Sequence, residues 1–281
     1  MTSLTKYLKA FFSFKFKKET CNYYPIKVYI EPTNFCNLKC NFCPNRIMKR
    51  EKGYMNLKLF KKILNDSPNF IKQVYLFHSG EPLLHPKIGQ MILELNKRNI
   101  KSCIFTNAHF LTEKKAREII DVGLDILSVS YHDKNAYENI IKFQKLIANK
   151  KKPKLIVQKL ECEEDPKFEK FYTRELKNFG GGIDIKFDKN KYYGCFWPYY
   201  MISILWNGDV VACCMNYDGK YILGNIKNGS LKEIWNNKKM KFLRKMITHK
   251  KLQNPEPCSV CDMPYKSPLA FRKIIKEFKL Y

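Results

Sequence analysis

Cys36, Cys40 and Cys43 stand as C-x3-C-x2-C inside the stretch EPTNFCNLKCNFCPN, which runs from Glu31 to Asn45. Three thiols this close cannot all pair with one another, and such short loops strain any disulfide that forms. They can converge on one metal centre, because a short loop brings its ends together at little entropic cost. An iron–sulfur cube takes four thiolates, so three from one loop leave one iron for a ligand that is not protein. The competing chemistry is a zinc knuckle completed by a distant cysteine or histidine.

A second set lies towards the C-terminus: Cys195, then Gly208 followed after four residues by Cys213, then Cys258 and Cys261 as C-x2-C between Pro257 and Pro264. Four soft ligands suit either zinc or a complete iron–sulfur cluster. Ser79-Gly80-Glu81-Pro82 is a further candidate, since Gly80 can expose its backbone where a side chain would obstruct. Cys103 and Cys162 have no motif around them and read as plain thiols.

These residues need a frame. Ile26 to Ile30 alternates like a strand and leads straight into the cysteine loop. Strand patterns recur at 74–77, 104–105, 125–131, 155–160 and 183–187. Between them lie helical patterns: one from Asn56, one through Ile88 and Leu95, one from Thr112 to Gly123, one capped by Asp133, and one over 166–179 carrying Phe168, Phe171, Tyr172, Leu176 and Phe179 and stopped by Gly180-Gly181-Gly182. Alternating strands and helices with short loops predict a parallel α/β sheet with right-handed crossovers. Periodicity does not separate an open sheet from a partial barrel. In either, ligands bind beyond the carboxyl ends of the strands. The cysteine loop, Ser79-Gly80-Glu81, Thr106-Asn107 and Ser130 all fall there, with Gln158 on the fifth strand.

The texture changes near residue 190. Asn207-Gly208 between Met201–Trp206 and Asp209–Ala212 signals a hairpin. Ser230 with Glu233 forms a capping box that opens a helix through Leu231, Ile234, Trp235 and Phe242. The expected division is a basic aromatic extension at 1–24, an α/β domain at 25–190 and a small cysteine-rich α+β domain at 191–281.

Composition supports a packed enzyme-sized core, with 45% apolar and 14% aromatic residues in 281. No membrane span or signal peptide is visible, because lysines interrupt the N-terminal apolar run. A cytoplasmic location follows, and in a reducing compartment eleven cysteines read as ligands or buried thiols rather than bridges. The net charge of +26 raises a nucleic-acid partner. However, lysine dominates over arginine, the residue favoured for bidentate contacts, so nucleic acid is disfavoured. An acidic redox protein could dock on the same charge. Residues 1–24 would form a helix with one apolar side and a cationic rim, which suits a membrane surface; packing on the following domain is the simpler expectation.

The cysteine loop, with Phe42 just before its last cysteine, resembles the cluster loop of the radical SAM superfamily. Ser79-Gly80-Glu81 is similar to that family's Gly-Gly-Glu motif, with serine replacing the first glycine. The segment CFWPYYMISILWNGDVVACC, the later LGNI and the SLKEIW helix resemble the family's SPASM/Twitch extension. The resemblance spans residues 26 to about 265 and implies a partial (β/α)6 barrel with a Twitch-like extension. Cys36, Cys40 and Cys43 would then hold a 4Fe–4S cluster whose open iron binds S-adenosylmethionine. Phe42 would lie near the adenine, the Ser79-Gly80-Glu81 backbone at the methionine amino group, and Thr106, Asn107 and Ser130 at ribose and carboxylate. Cys195, Cys213, Cys258 and Cys261 would hold one auxiliary 4Fe–4S cluster; Cys214 is surplus and could exchange roles with Cys213.

The resemblance implies reductive cleavage to a 5′-deoxyadenosyl radical, hydrogen abstraction from a substrate C–H and electron transfer to the auxiliary cluster. The leading substrate is a sugar or cyclitol alcohol, and the reductant is flavodoxin- or ferredoxin-like. A peptide-modifying maturase is the alternative, and a zinc protein that binds RNA is the reading from another class. No acid–base residue is assigned; Tyr131, His132 and His78 lie at strand ends where a proton could be accepted.

Overall fold

A computed structural model of the chain describes residues 3–67, 70–160, 165, 167–249 and 255–266. Helix α1 (Ser3–Lys15) precedes five strands: β1 (Lys27–Ile30), β2 (Gln73–Leu76), β3 (Lys101–Thr106), β4 (Ile126–Ser130) and β5 (Lys154–Leu160). Each pairs in parallel with the next. Helices α2 (Leu57–Asn65), α3 (Ile88–Asn96), α4 (Glu113–Asp121) and α5 (Lys134–Ile147) fill the four crossovers. Their starts are written in the sequence: the side chains of Asn56, Thr112 and Asp133 accept hydrogen bonds from first-turn N–H groups. Gly123, at φ 79°, ends the chain's run through α4.

The sheet has two unlike faces. Val28, Ile30, Val74, Leu76, Ile104, Leu127 and Val157 join the helices in the main core. Tyr75, Cys103, Ile126 and Ile156, with Tyr29 and Phe105 beside them, form a separate cluster on the other face. Strand alternation assigns the two sets. The second face is the inner wall of the partial barrel that the resemblance implies.

The sixth strand is not where the periodicity put it. Residues 183–187 have no regular structure, and β6 is Phe171–Arg174, inside the stretch expected as a helix over 166–179. It pairs in parallel with β5, from Val157↔Phe171 to Leu160↔Arg174. Phe168 and Phe171 are both buried and stack at 6.3 Å, so a spacing of three arose from packing around a bend rather than from a helical face. Phe-Tyr-Thr also fits a strand, and β5 offers an edge that needs a partner. Cys162 and Pro166 lie outside the described residues.

The C-terminal part is a continuation of the same sheet. Strand β7 (Met201–Ile204) pairs in parallel with β1, from Lys27↔Met201 to Ile30↔Ile204. A turn at Asn207-Gly208, with Gly208 at φ 94°, leads back into β8 (Asp209–Val211), and β9 (Gly224–Asn225) follows antiparallel. Among the described residues the order is β6-β5-β4-β3-β2-β1-β7-β8-β9. The helix expected through Phe242 is two: α6 (Leu231–Trp235), opened by the Ser230–Glu233 capping box, and α7 (Lys238–Thr248), capped by Asn237. The break turns Phe242 outward.

Helix α1 does pack, but on the C-terminal segment rather than on the strand that follows it. Tyr7 meets Tyr200 at 6.3 Å, and Phe14 meets Phe196 and Tyr199 at 5.7 and 5.5 Å. Behind them the wholly buried Arg244 sits 4.4 Å from the Trp235 ring and donates to the carbonyls of Pro198 and Glu19. No described helix is long and apolar enough to cross a membrane.

Two candidate metal centres and the contacts that join them

The cysteine loop leaves β1 at its carboxyl end, and asparagines hold its shape. Asn34, fully buried, donates to the Glu51 carbonyl at 2.8 Å and accepts from Gly53 N at 2.8 Å. Asn45 donates to the Asn34 carbonyl at 2.9 Å and to the Ser79 carbonyl. The Asn34 carbonyl is met by this amide, while those of Phe35 and Cys40 take the N–H groups of Glu81 and Cys43. Asn34 and Asn45 were missed in the sequence; two asparagines bracketing three cysteines were the available signal. Cys36, Cys40 and Cys43 are all half-buried, open enough for an outside ligand. Burial raises the Cys36 thiol, and the Leu38 N–H opposes it.

Gly80 touches this loop. A Cβ there would lie 2.6 Å from the Phe35 carbonyl oxygen and 2.8 Å from Asn34 Cα. Only a bare backbone fits, so residues 79–80 form a cradle against the loop. On the chemistry that the resemblance implies, Gly80→Ala is expected to displace the loop and slow S-adenosylmethionine cleavage about a hundredfold, read as 5′-deoxyadenosine formed per minute. Iron held at the C-terminal cysteines should be unchanged.

Glu81 is buried and works as a tie. Its carboxylate accepts from Leu83 N at 3.0 Å, Thr106 Oγ1 at 2.7 Å and Asn107 N at 2.8 Å. Burial nonetheless raises its pKa. Thr106 also accepts from Ala108 N, so its hydroxyl is occupied within the protein. Asn107 reaches the loop: Nδ2 lies 3.9 Å from Cys36 Sγ and 3.0 Å from Asn37 Oδ1. Ser130 ends β4 on the same rim, whereas Gln158 is buried and donates to Ser128 Oγ at 2.8 Å. Phe42 packs against His132, ring centroids 4.8 Å apart, and His132 is exposed. Tyr131 points away, 3.5 Å from Asp165. His78 is buried, with Nδ1 2.7 Å from Ser79 Oγ and 3.5 Å from Glu31 Oε1.

Cys195, Cys213, Cys258 and Cys261 line one apolar cavity together with Trp197 and Met215. Cys214 is not among its lining residues. Burial pushes Cys258 and Cys261 up to about 12, and raises Cys195 and Cys213 well above the ordinary thiol range. Neighbouring thiols add to the rise, Cys261 and Cys258 at Cys195, and Cys214 ahead of Cys258, Cys195 and Cys261 at Cys213, because thiolates this close would repel. An enclosed all-thiol donor set suits an iron–sulfur body, whose positive irons offset that repulsion.

Asn178 and Gly180-Gly181-Gly182 hold the turn between Cys258 and Cys261. Asn178 Nδ2 donates to the Val260 carbonyl at 2.6 Å, and its Oδ1 accepts from Asp262 N at 3.1 Å. A Cβ on Gly180 would lie 2.6 Å from Pro257; one on Gly182 would lie 2.8 Å from Pro44, the residue after Cys43. The glycine run expected to stop a helix is instead the joint between the two thiol sets.

A buried ion pair makes a second joint. Glu31, wholly buried before the cysteine loop, takes both Nη groups of Arg50, which lies after it. Arg50 Nε donates to the Tyr217 carbonyl at 2.7 Å, and Trp206 N donates to Glu31 Oε2 at 3.1 Å. Asp218 Oδ1 accepts from the N–H groups of Lys49 and Arg50. Burial acts to raise the Glu31 carboxyl, but His78 and Arg50 outweigh it and hold it at about 2.

The radical SAM superfamily model matches residues 30–161, and the SPASM model, an iron–sulfur cluster-binding domain, matches residues 195–262. A tungsten-containing aldehyde ferredoxin oxidoreductase cofactor-modifying protein of Pyrococcus furiosus is 25% identical, across 84% of this chain and 87% of that protein. An S-adenosyl-L-methionine-dependent 2-deoxy-scyllo-inosamine dehydrogenase of Niallia circulans is also 25% identical, across 84% and 92%. Among solved structures, BtrN in complex with AdoMet and 2-DOIA superposes with a TM-score of 0.69 at 24% identity, covering 85% of this chain and 93% of that one. SuiB of Streptococcus suis bound to the precursor peptide SuiA gives 0.67 at 18%, covering 89% and 72%. These two likenesses are of fold.

Proposed function

Because the chain belongs to the radical SAM superfamily and carries its SPASM-type extension, we propose that it oxidises an alcohol carbon of a cyclitol or sugar to a ketone. When bound, the two 4Fe–4S clusters and S-adenosylmethionine supply the 5′-deoxyadenosyl radical and an acceptor for the substrate's remaining electron. In this reading Cys36, Cys40 and Cys43 hold the first cluster. Gly80 lets the backbone of residues 79–80 meet the methionine end of S-adenosylmethionine, while Phe42, Asn107 and Ser130 border the rest of it. Glu81 and Thr106 act behind them, fixing Asn107 rather than touching the ligand. Cys195, Cys213, Cys258 and Cys261 hold the second cluster, with the functional units divided at about residues 24 and 190, as the change in texture suggests.

The observation that carries the oxidative reading is the contrast between the two thiol sets. The first has three cysteines, all half-buried; the second has four lining one apolar cavity, Cys213 and Cys261 buried and Cys195 and Cys258 half-buried, so every iron would have a protein ligand and none is left for substrate. Such a centre can take an electron but cannot chelate an alcohol. The inner face of the sheet supports the same class: Tyr29 and Phe105 are half-buried aromatic rings, and the half-buried Ser130 brings a hydroxyl to the same side at the strand end. Polar rings are held by stacking plus a few hydrogen bonds. The alcohol loses one hydrogen atom, one electron and one proton. The proton leaves by way of His132, exposed at the rim beside Phe42.

The test is anaerobic turnover of reconstituted protein with S-adenosylmethionine, a strong reductant and a panel of cyclitols and amino sugars deuterated at the carbinol carbon. The expected result is a ketone, one 5′-deoxyadenosine per turnover, and deuterium in that 5′-deoxyadenosine. An epimer formed without net oxidation would overturn the oxidative reading. Turnover confined to a precursor peptide would replace the substrate class.

A further inference from the structure

We infer that the outward face of α1 docks the protein on an anionic membrane surface. The helix has two apolar stripes, and the fold uses one. Tyr7 and Ala10 are buried, and Phe14 packs its ring on Phe196 and Tyr199. On the opposite side Leu8, Phe12 and Phe16 are 37%, 48% and 64% exposed, at spacings of four. Helical hydrogen bonding continues through Phe16, whose N–H reaches the Phe12 carbonyl at 2.9 Å, so the three side chains share one line. Phe12 and Phe16 stack on each other at 6.2 Å with planes 15° apart, facing solvent.

Isolated exposed apolar residues are ordinary on a soluble protein. Three in register on a helix already anchored by its other side are not. Lysines complete the pattern. At 100° per residue, Lys9 and Lys15 fall on either side of the exposed line. Both are exposed, as are Lys17 and Lys18 just beyond, where Lys17 ends the helix at φ 52°. The first acidic residue in the sequence is Glu19. An apolar line with a cationic rim lies in the lipid interface, rings among the acyl chains and ammonium groups at the phosphates.

Other occupants fit less well. A second copy meeting the same face about a two-fold axis would set lysines against lysines. An acidic protein would be drawn by the lysines, yet it would not account for aromatic rings displayed in a row. The rigid packing of α1 on residues 196–200 means that docking would fix the orientation of the whole molecule. This reading is independent of the chemistry at either thiol set.

Co-sedimentation of the full chain with vesicles tests it. Equal parts phosphatidylcholine and phosphatidylglycerol should retain the protein, with at least about tenfold weaker partitioning on pure phosphatidylcholine or at high salt. Leu8→Ser, Phe12→Ser and Phe16→Ser combined should weaken binding to the anionic vesicles about tenfold or more, with far-ultraviolet circular dichroism and iron content unchanged. Lys9→Glu with Lys15→Glu should do the same through charge alone. Wild-type protein left in the supernatant of anionic vesicles would overturn the proposal. So would a triple serine variant that binds as well as wild type, or a wild-type dimer that this variant makes monomeric without any vesicle binding.

Discussion

Cys40→Ala is expected to end 5′-deoxyadenosine formation, to below about one thousandth of the wild-type rate, a barrier rise of about 4 kcal/mol. Iron in the reconstituted protein should fall from about eight atoms to about four, because only the loop cluster is lost. The complementary variant is Cys213→Ala. It should retain cleavage of S-adenosylmethionine while losing the ketone and the iron of the enclosed cavity. Cys214→Ala should keep both, since Cys214 is not among the residues lining that cavity. Iron analysis and electron paramagnetic resonance of the reduced proteins read all three. Full cleavage activity in Cys40→Ala, or iron loss in Cys214→Ala equal to that in Cys213→Ala, would contradict the ligand assignments.

Arg50→Ala should be the most destabilising surface-proximal change. It leaves the wholly buried Glu31 carboxylate with only Trp206 N and His78 beside it and removes the link to the Tyr217 carbonyl. Removing one partner of a buried pair costs about 3–5 kcal/mol. For a chain of this size that is a fall of roughly 10 °C in Tm, measured by anaerobic thermal unfolding. The pH dependence has a definite sign. Glu31 is depressed from 4.5 to about 2 in the folded state, so its stabilisation is complete above pH 4.5 and is lost as pH falls towards 2. Wild-type stability should therefore decline across that window more steeply than that of Arg50→Ala, where the pair is already broken. Glu31→Gln should flatten the same window. Through Tyr217 and Trp206 the ion pair also ties the first cysteine loop to the segment of the second thiol set, so Arg50→Ala should lower the yield of ketone per 5′-deoxyadenosine formed.

Much of this was legible in the chain. The cysteine spacing left iron–sulfur and zinc both open until its resemblance to a known cluster loop was added, and Asn56, Thr112, Asp133 and Ser230 mark helix starts because capping is a local matter. Strands β1 to β5 are read from short apolar runs in a regular rhythm. What failed was non-local. Phe168 and Phe171 share a helical spacing, but the β5 edge decides their conformation, and nothing within the segment reveals that edge. The hairpin of residues 201–211 is visible from Asn207-Gly208, whereas its pairing with β1 joins residues some 170 positions apart. Glu31 and Arg50 are ordinary charges in the sequence. Only burial and the arrival of Trp206 and Tyr217 make them a joint. The Gly180-Gly181-Gly182 run was seen and misread, since a helix stop and a close approach of three loops call for the same residue.

The placement of β7 beside β1 also determines what the sheet offers to other chains. A strand left open at β1 would present unpaired N–H and C=O groups next to the first thiol loop, inviting an extended peptide to add on there. Because β7 fills that flank, the sheet as described ends instead at Phe171–Arg174 on one side and at Gly224–Asn225 on the other. The second of these is two residues long, too short to template a strand. A polypeptide seeking backbone recognition is thus steered to β6, across the sheet from the extension. Of the two margins among the described residues, the longer is the four-residue β6, so little bare strand is offered for self-association.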